Sequence, residues 1–152
     1  MKFRTVVSAL IVPALAVACS SGPDETGPVT ISIQQSLTGQ TTAAGTFQMT
    51  GTLTDTGQTT ESLTFLGPLD KSPVPVSFTR QLTGARGALS VKGNATLTFT
   101  SPTAATVSGD WEVESGTGAY ASMKGTGRLT GTADFGAAPP TAALSMAGSL
   151  LR

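Results

Sequence analysis

The chain has 152 residues, 12% of them charged and 5% aromatic, with nine Lys and Arg balancing nine Asp and Glu and no histidine. A chain of this length is expected to form one core, burying about two thirds of its unfolded surface. With no basic run, and no aromatics interleaved with basic residues, it argues against a nucleic-acid partner, and the wealth of Thr, Ser, Gly and Ala favours short strands over helices.

Lys2 and Arg4 precede an apolar run from Val6 to Val17. This predicts a secretory signal over 1–18; with Pro13 inside it, a run of about a dozen residues is too short to span a hydrocarbon core of about 30 Å. Two cleavage readings stand. Ala16-Val17-Ala18 fits ordinary signal peptidase, whereas Leu15-Ala16-Val17-Ala18-Cys19 resembles the lipobox of bacterial lipoproteins, with Ala16 where leucine is usual. The lipobox implies diacylation of the cysteine on sulfur followed by N-acylation. Cys19 is the only cysteine, and 19–28 read as the lipidated residue and a flexible Ser, Gly and Pro tether. The preferred expectation is an exported lipoprotein of the bacterial cell envelope, its partner the lipid bilayer that takes the acyl chains. The alternative is a soluble secreted or periplasmic protein. Cleavage removes Lys2 and Arg4, leaving seven basic against nine acidic side chains.

From Val29 to the end, period-two alternation recurs in segments punctuated by Gly, Pro, Asp or Asn, and no helical pattern competes. It predicts eight strands, at 29–37, 45–54, 59–66, 74–82, 88–100, 104–115, 125–135 and 141–151. One face carries Phe47, Met49, Leu53, Leu89, Val91, Leu97, Phe99, Val107, Trp111, Val113 and Leu129, and the other is rich in threonine. Eight consecutive antiparallel strands with one apolar face predict an all-β domain over 29–152, a small eight-stranded barrel with a β-sandwich as the alternative. An outer-membrane barrel would show a similar alternation turned inside out, but aromatic girdles are missing.

Two features of the apolar face bear on function. Gly51, Gly93, Gly109, Gly131 and Gly148 have its parity, either as kinks in coiled strands or as missing side chains that leave a cavity. The candidate lining of that cavity is Phe47, Met49, Phe65, Phe78, Trp111 and Met146, joined by Glu61 and Arg80. These two charged residues also have inward parity, and a hairpin centred on Asp70-Lys71 sets them opposite each other. The pair reads either as a cross-strand ion pair at the barrel rim or as a polar anchor for a ligand's carboxylate or carbonyl.

Between the sixth and seventh strands runs Gly116-Thr-Gly-Ala-Tyr-Ala-Ser-Met-Lys-Gly125. Its glycines, Gly116, Gly118, Gly125 and the following Gly127, allow positive φ or close backbone approach, and Tyr120 and Met123 are placed to plug a barrel end. With Trp111-Glu-Val upstream, this corner resembles the Gly-Thr-Gly-aromatic corner of dirigent proteins and of bacterial relatives in the allene oxide cyclase barrel superfamily. Thr83-Gly-Ala-Arg-Gly-Ala-Leu89 and Gly45-Thr-Phe47 resemble the bacterial members. The resemblance implies an eight-stranded barrel, often trimeric in the plant relatives, whose interior takes hydrophobic small molecules. The polar residues that serve chemistry in those relatives match no position here.

Without histidine, and with its cysteine assigned to the anchor, the chain offers no zinc site, no thiol nucleophile and no Ser-His pair. The Gly-Thr-Gly repeats lack the βαβ unit of a dinucleotide fingerprint. No catalytic residue, metal or cofactor is therefore assigned. The leading expectation is a membrane-anchored barrel that binds a small hydrophobic molecule or serves as a surface interaction module, with homo-oligomerisation open. The alternatives are a cofactor-free cyclase or isomerase acting on a hydrophobic substrate in the barrel, and a purely structural envelope domain.

Overall fold

Strands with one apolar face must bury it, and closing the sheet on itself does so without leaving an edge. The computed structural model describes residues 26–152, which form a closed antiparallel barrel in simple chain order. Its strands are β1 Gly27–Leu37, β2 Thr42–Gly51, β3 Asp55–Phe65, β4 Val74–Gly84, β5 Gly87–Phe99, β6 Ala104–Gly116, β7 Lys124–Asp134 and β8 Thr141–Leu151. β8 returns to pair with β1, from Gly27 opposite Leu150 to Ser36 opposite Thr141. The sandwich alternative is thereby replaced by one continuous sheet. The signal segment and Cys19 lie outside the described residues. Gly27 and Pro28, expected in the tether, belong to β1 because β8 extends far enough to pair with them.

The expected faces hold. Ile31, Ile33, Met49, Val91, Trp111, Leu129 and Met146 are buried inside, and Thr30, Ser32, Gln48, Thr50, Lys92, Glu112 and Arg128 are exposed. On the outer wall, Lys92 lies 3.6 Å from Glu112 and Arg128 lies 3.4 Å from Asp110. Such exposed pairs contribute little to stability, but they leave the outside of the barrel polar, the reverse of a lipid-facing wall.

The two ends differ. At one, residues 38–41, 66–73, 100–103 and 135–140 link the strands around an open mouth. At the other, the β6–β7 corner folds inward through a single 3-10 turn, Gly118–Tyr120, and buries Tyr120 and Met123 to 1% exposure each. Gly118 takes φ 61, and Ser122 enters the left-handed region as well, at φ 66. Gly116, Gly125 and Gly127 instead allow close approach; a Cβ on Gly116 would lie 2.2 Å from the carbonyl oxygen of Tyr120.

Inward glycines act as seats for large neighbours. A Cβ on Gly127 or Gly148 would come within 2.7 or 2.6 Å of the Trp111 indole, one on Gly93 within 2.7 Å of the Phe78 ring, and one on Gly131 within 2.7 Å of Leu144. The side chains missing at these positions therefore leave no void, since the indole, the phenyl ring and the leucine occupy the space. Gly51 departs from expectation: it is exposed, at φ 113, where β2 ends and the alternation stops. Replacing Gly148 with Ala would set a Cβ 2.2 Å from the Thr126 carbonyl oxygen and 2.6 Å from the Trp111 indole and is expected to cost about 3 kcal/mol through overpacking. Gly67→Ala, whose Cβ meets only Pro75 at 3.4 Å, is expected to stay within about 0.5 kcal/mol; urea denaturation of both variants checks the contrast.

Candidate functional site: a polar layer beneath an apolar cup

Glu61 on β3 is paired directly with Arg80 on β4. Both side chains point inward, and Arg80 has no exposed surface while Glu61 has 5%. Nη2 of Arg80 donates to Glu61 Oε1 at 2.5 Å and to Gln35 Oε1 at 3.3 Å, and Gln35 Nε2 donates to Glu61 Oε2 at 2.5 Å. Nη1 contacts Met146 Sδ at 3.2 Å, and the guanidinium carbon lies 5.5 Å from the centroid of the Phe78 ring. Nε alone has no partner. Three strands, β1, β3 and β4, thus contribute to one closed triangle of side chains, in which two opposite charges and one amide satisfy each other. Burial pushes the Arg80 guanidinium down from its ordinary range, and the Glu61 charge opposes that shift. Arg80 remains a cation.

The ion pair does not lie at the rim, the position expected of a simple cross-strand pair. Both residues sit midway along their strands, so the layer lies across the middle of the barrel. Between it and the plugged end, Ile31, Met49, Leu82 and Trp111 are nearly inaccessible.

The plugged end is tied down by Asp55. Its Oδ2 accepts from the Tyr120 hydroxyl at 2.7 Å and the Arg86 amide at 3.2 Å, and its Oδ1 accepts from the amides of Thr56 at 2.9 Å and Ala85 at 3.1 Å. Burial alone would raise the Asp55 carboxyl; the Tyr120 hydroxyl and the three backbone N–H groups outweigh it and hold the carboxyl below its ordinary range.

On the mouth side of the layer the packing stops short. A cavity of about 80 Å³ opens there, lined mainly by Leu63, Phe65, Phe78, Leu97, Leu129 and Phe135, with Gln35 and Glu61 as its buried polar wall. It forms an apolar cup over a polar floor. Of the candidate cavity residues, Glu61, Phe65 and Phe78 line the cup. Phe47, Met49, Arg80, Trp111 and Met146 do not, since the first two and the indole pack in the core and Arg80 is covered by its own partners. Of the pair expected as a polar anchor for a carboxylate or carbonyl, Glu61 lines the cup and Arg80 does not. Gln35 and Asp55 join the site without being among the residues expected in it. Gln35 has the parity of Ile31 and Ile33, a signal that was present; Asp55 fell in a stretch expected to be a turn.

Among the described residues, no three His, Cys, Asp or Glu side chains group as metal ligands. Comparison of the chain with family models, curated proteins and solved structures gives no match.

Arg80→Met leaves the Glu61 carboxylate buried without its counter-ion and is expected to cost about 3–5 kcal/mol. Glu61→Leu with Arg80→Met and Gln35→Leu removes both charges and the amide that bridges them, and its urea midpoint should recover most of that loss. Asp55 has a second, pH-dependent test. Its folded-state pKa lies below the ordinary 3.8, so its stabilisation is complete above that value and is lost as pH falls through the depressed one. Asp55→Asn should cost about 2 kcal/mol at pH 7, with the gap between wild type and variant closing in acid, as read from melting temperatures between pH 7 and pH 2.

Proposed function

We propose that this protein is a non-catalytic binding barrel, exported and anchored to a bilayer through acylated Cys19, whose open mouth takes the end of a small hydrophobic molecule. One observation carries the reading: the barrel is plugged at one end and open at the other over an apolar cup floored by Glu61 and Gln35. Enclosed apolar surface with a few convergent polar groups is what small-molecule sites are made of. At about 80 Å³, the cup holds a few heavy atoms, so the occupant enters by one end and leaves its remainder at the mouth. There Leu66 and Leu69 are 60% and 49% exposed, and Leu69 and Phe99 border a groove between the β3–β4 and β5–β6 links.

The anchor is compatible with access to that mouth. Cys19 precedes Gly27, the first residue of β1, by eight positions, and β1 begins at the plugged end, so the chain enters the barrel at the end opposite the cup. The likeness of the Gly116 corner to dirigent and allene oxide cyclase barrels supports the same reading. A ring-closing enzyme would need a chamber enclosing its substrate, and Trp111, Met49 and Leu82 fill the interior where that chamber would be.

Native mass spectrometry of the protein from its own host tests both parts. The wild type should carry the mass of the acyl chains and a dissociable small molecule. Ala95→Leu, which extends a side chain into the cup from its wall, should lose the small molecule alone, and Cys19→Ala should lose the acyl mass and leave the membrane fraction. A small molecule retained in Ala95→Leu contradicts the cup, and an unmodified Cys19 contradicts the anchor.

A further inference from the structure

We infer that the occupant of the cup is an uncharged hydrophobic molecule whose inner end carries a hydrogen-bond donor, an alcohol or a primary amide, and that the cup discriminates against carboxylates. This inference rests on the reading of the cup as a binding site and adds the chemical class of what it binds.

Arg80 is the only cation in the layer, but it is absent from the cup wall. Its Nη2 is held by Glu61 and Gln35, and its Nη1 by Met146. The wall instead presents Glu61 and Gln35, which are 5% and 8% exposed. Each Glu61 oxygen accepts one hydrogen bond within the layer, and a carboxylate has about four acceptor positions, so capacity remains. Gln35 gives one N–H to Glu61 and has a second to give. A floor with surplus acceptors and one donor suits a group that both donates and accepts, such as a hydroxyl or a primary amide.

Charge decides the rest. Glu61 and Arg80 cancel within the layer, so any charge brought into the cup is uncompensated. A carboxylate would be stripped of water among Phe65, Phe78 and Leu97 and set beside a second carboxylate in a region of low dielectric. An ammonium group could use the same free acceptor positions of Glu61, but it would leave the buried layer with a net positive charge among apolar side chains. A neutral donor keeps every bond of the layer and adds to it.

The test uses four probes of similar length: 1-hexanol, methyl pentyl ether, hexanoate and hexylammonium, each titrated at pH 7.5 against the methyl signals of Leu63, Leu97, Leu129 and Leu144. Hexanol should shift them saturably and bind about tenfold more tightly than the ether, which matches it in size but lacks the donor. Both ions should bind more weakly than hexanol. In Glu61→Leu with Arg80→Met and Gln35→Leu, the cup keeps an apolar lining and the floor loses all of its polar groups, so the preference for hexanol over the ether should disappear, an effect that loss of stability alone would not produce. Hexanoate or hexylammonium binding as tightly as hexanol, or hexanol and ether binding alike in the wild type, overturns the inference while leaving the cup a site. If no probe binds saturably, the cup itself fails as a site, and the inference with it.

Discussion

A guanidinium with no exposed surface, placed across the middle of an apolar barrel, is the constraint on which the interior depends. Taking Arg80 out of water is costly unless its charge and its hydrogen bonds are answered nearby. Glu61 answers the charge, Gln35 bridges the two, and Met146 and Phe78 complete the surroundings. These partners come from β3, β1, β8 and β4 itself. A slip of one residue in the β3–β4 register would turn Glu61 or Arg80 to the outside and leave the other charge alone in the core. The layer therefore makes the register of this hairpin far more specific than a uniformly apolar face would.

The same layer divides the barrel into two unlike halves. Towards the β6–β7 corner the interior is packed, with Trp111 seated over Gly127 and Gly148 and Tyr120 held beneath the corner by Asp55. Towards the other end Leu63, Phe65, Leu97 and, in the β7–β8 link, Phe135 surround an unplugged space, and the cup remains. Function, as proposed, follows from this asymmetry. The closed end gives β1 a firm entry point, and the open end over a neutral but polar floor would give the proposed hydrophobic occupant a place with one preferred orientation.

Much of this was legible in the residues. Because every strand has one face in the core and one in water, parity alone assigns Ile31, Met49, Val91 and Trp111 to the inside, and the strands differ from expectation only at their ends. A hairpin symmetric about Asp70 and Lys71 is enough to bring Glu61 and Arg80 together, and the glycine-flanked Tyr120 and Met123 are where a plug was expected. What parity does not specify is depth or filling. Whether a glycine on the apolar face leaves a hole depends on which large side chain folds over it. Trp111 reaches Gly148 from another strand by its rotamer, and no spacing in the chain encodes that. Gln35 was hidden because its partners, Glu61 and Arg80, lie on strands that do not neighbour β1 in the sheet, and Asp55 because its partners belong to the β4–β5 link and the distant corner.

The most direct measurement is a crystal structure of the domain pressurised with xenon, which enters accessible apolar space without needing a specific shape. A xenon atom is expected in the cup, against Phe78, Leu97 and Leu129, with the Gln35, Glu61 and Arg80 bonds intact beneath it and no xenon around Trp111. Xenon between the layer and the plugged corner, an empty cup, or an Arg80 side chain turned out to solvent would contradict that expectation.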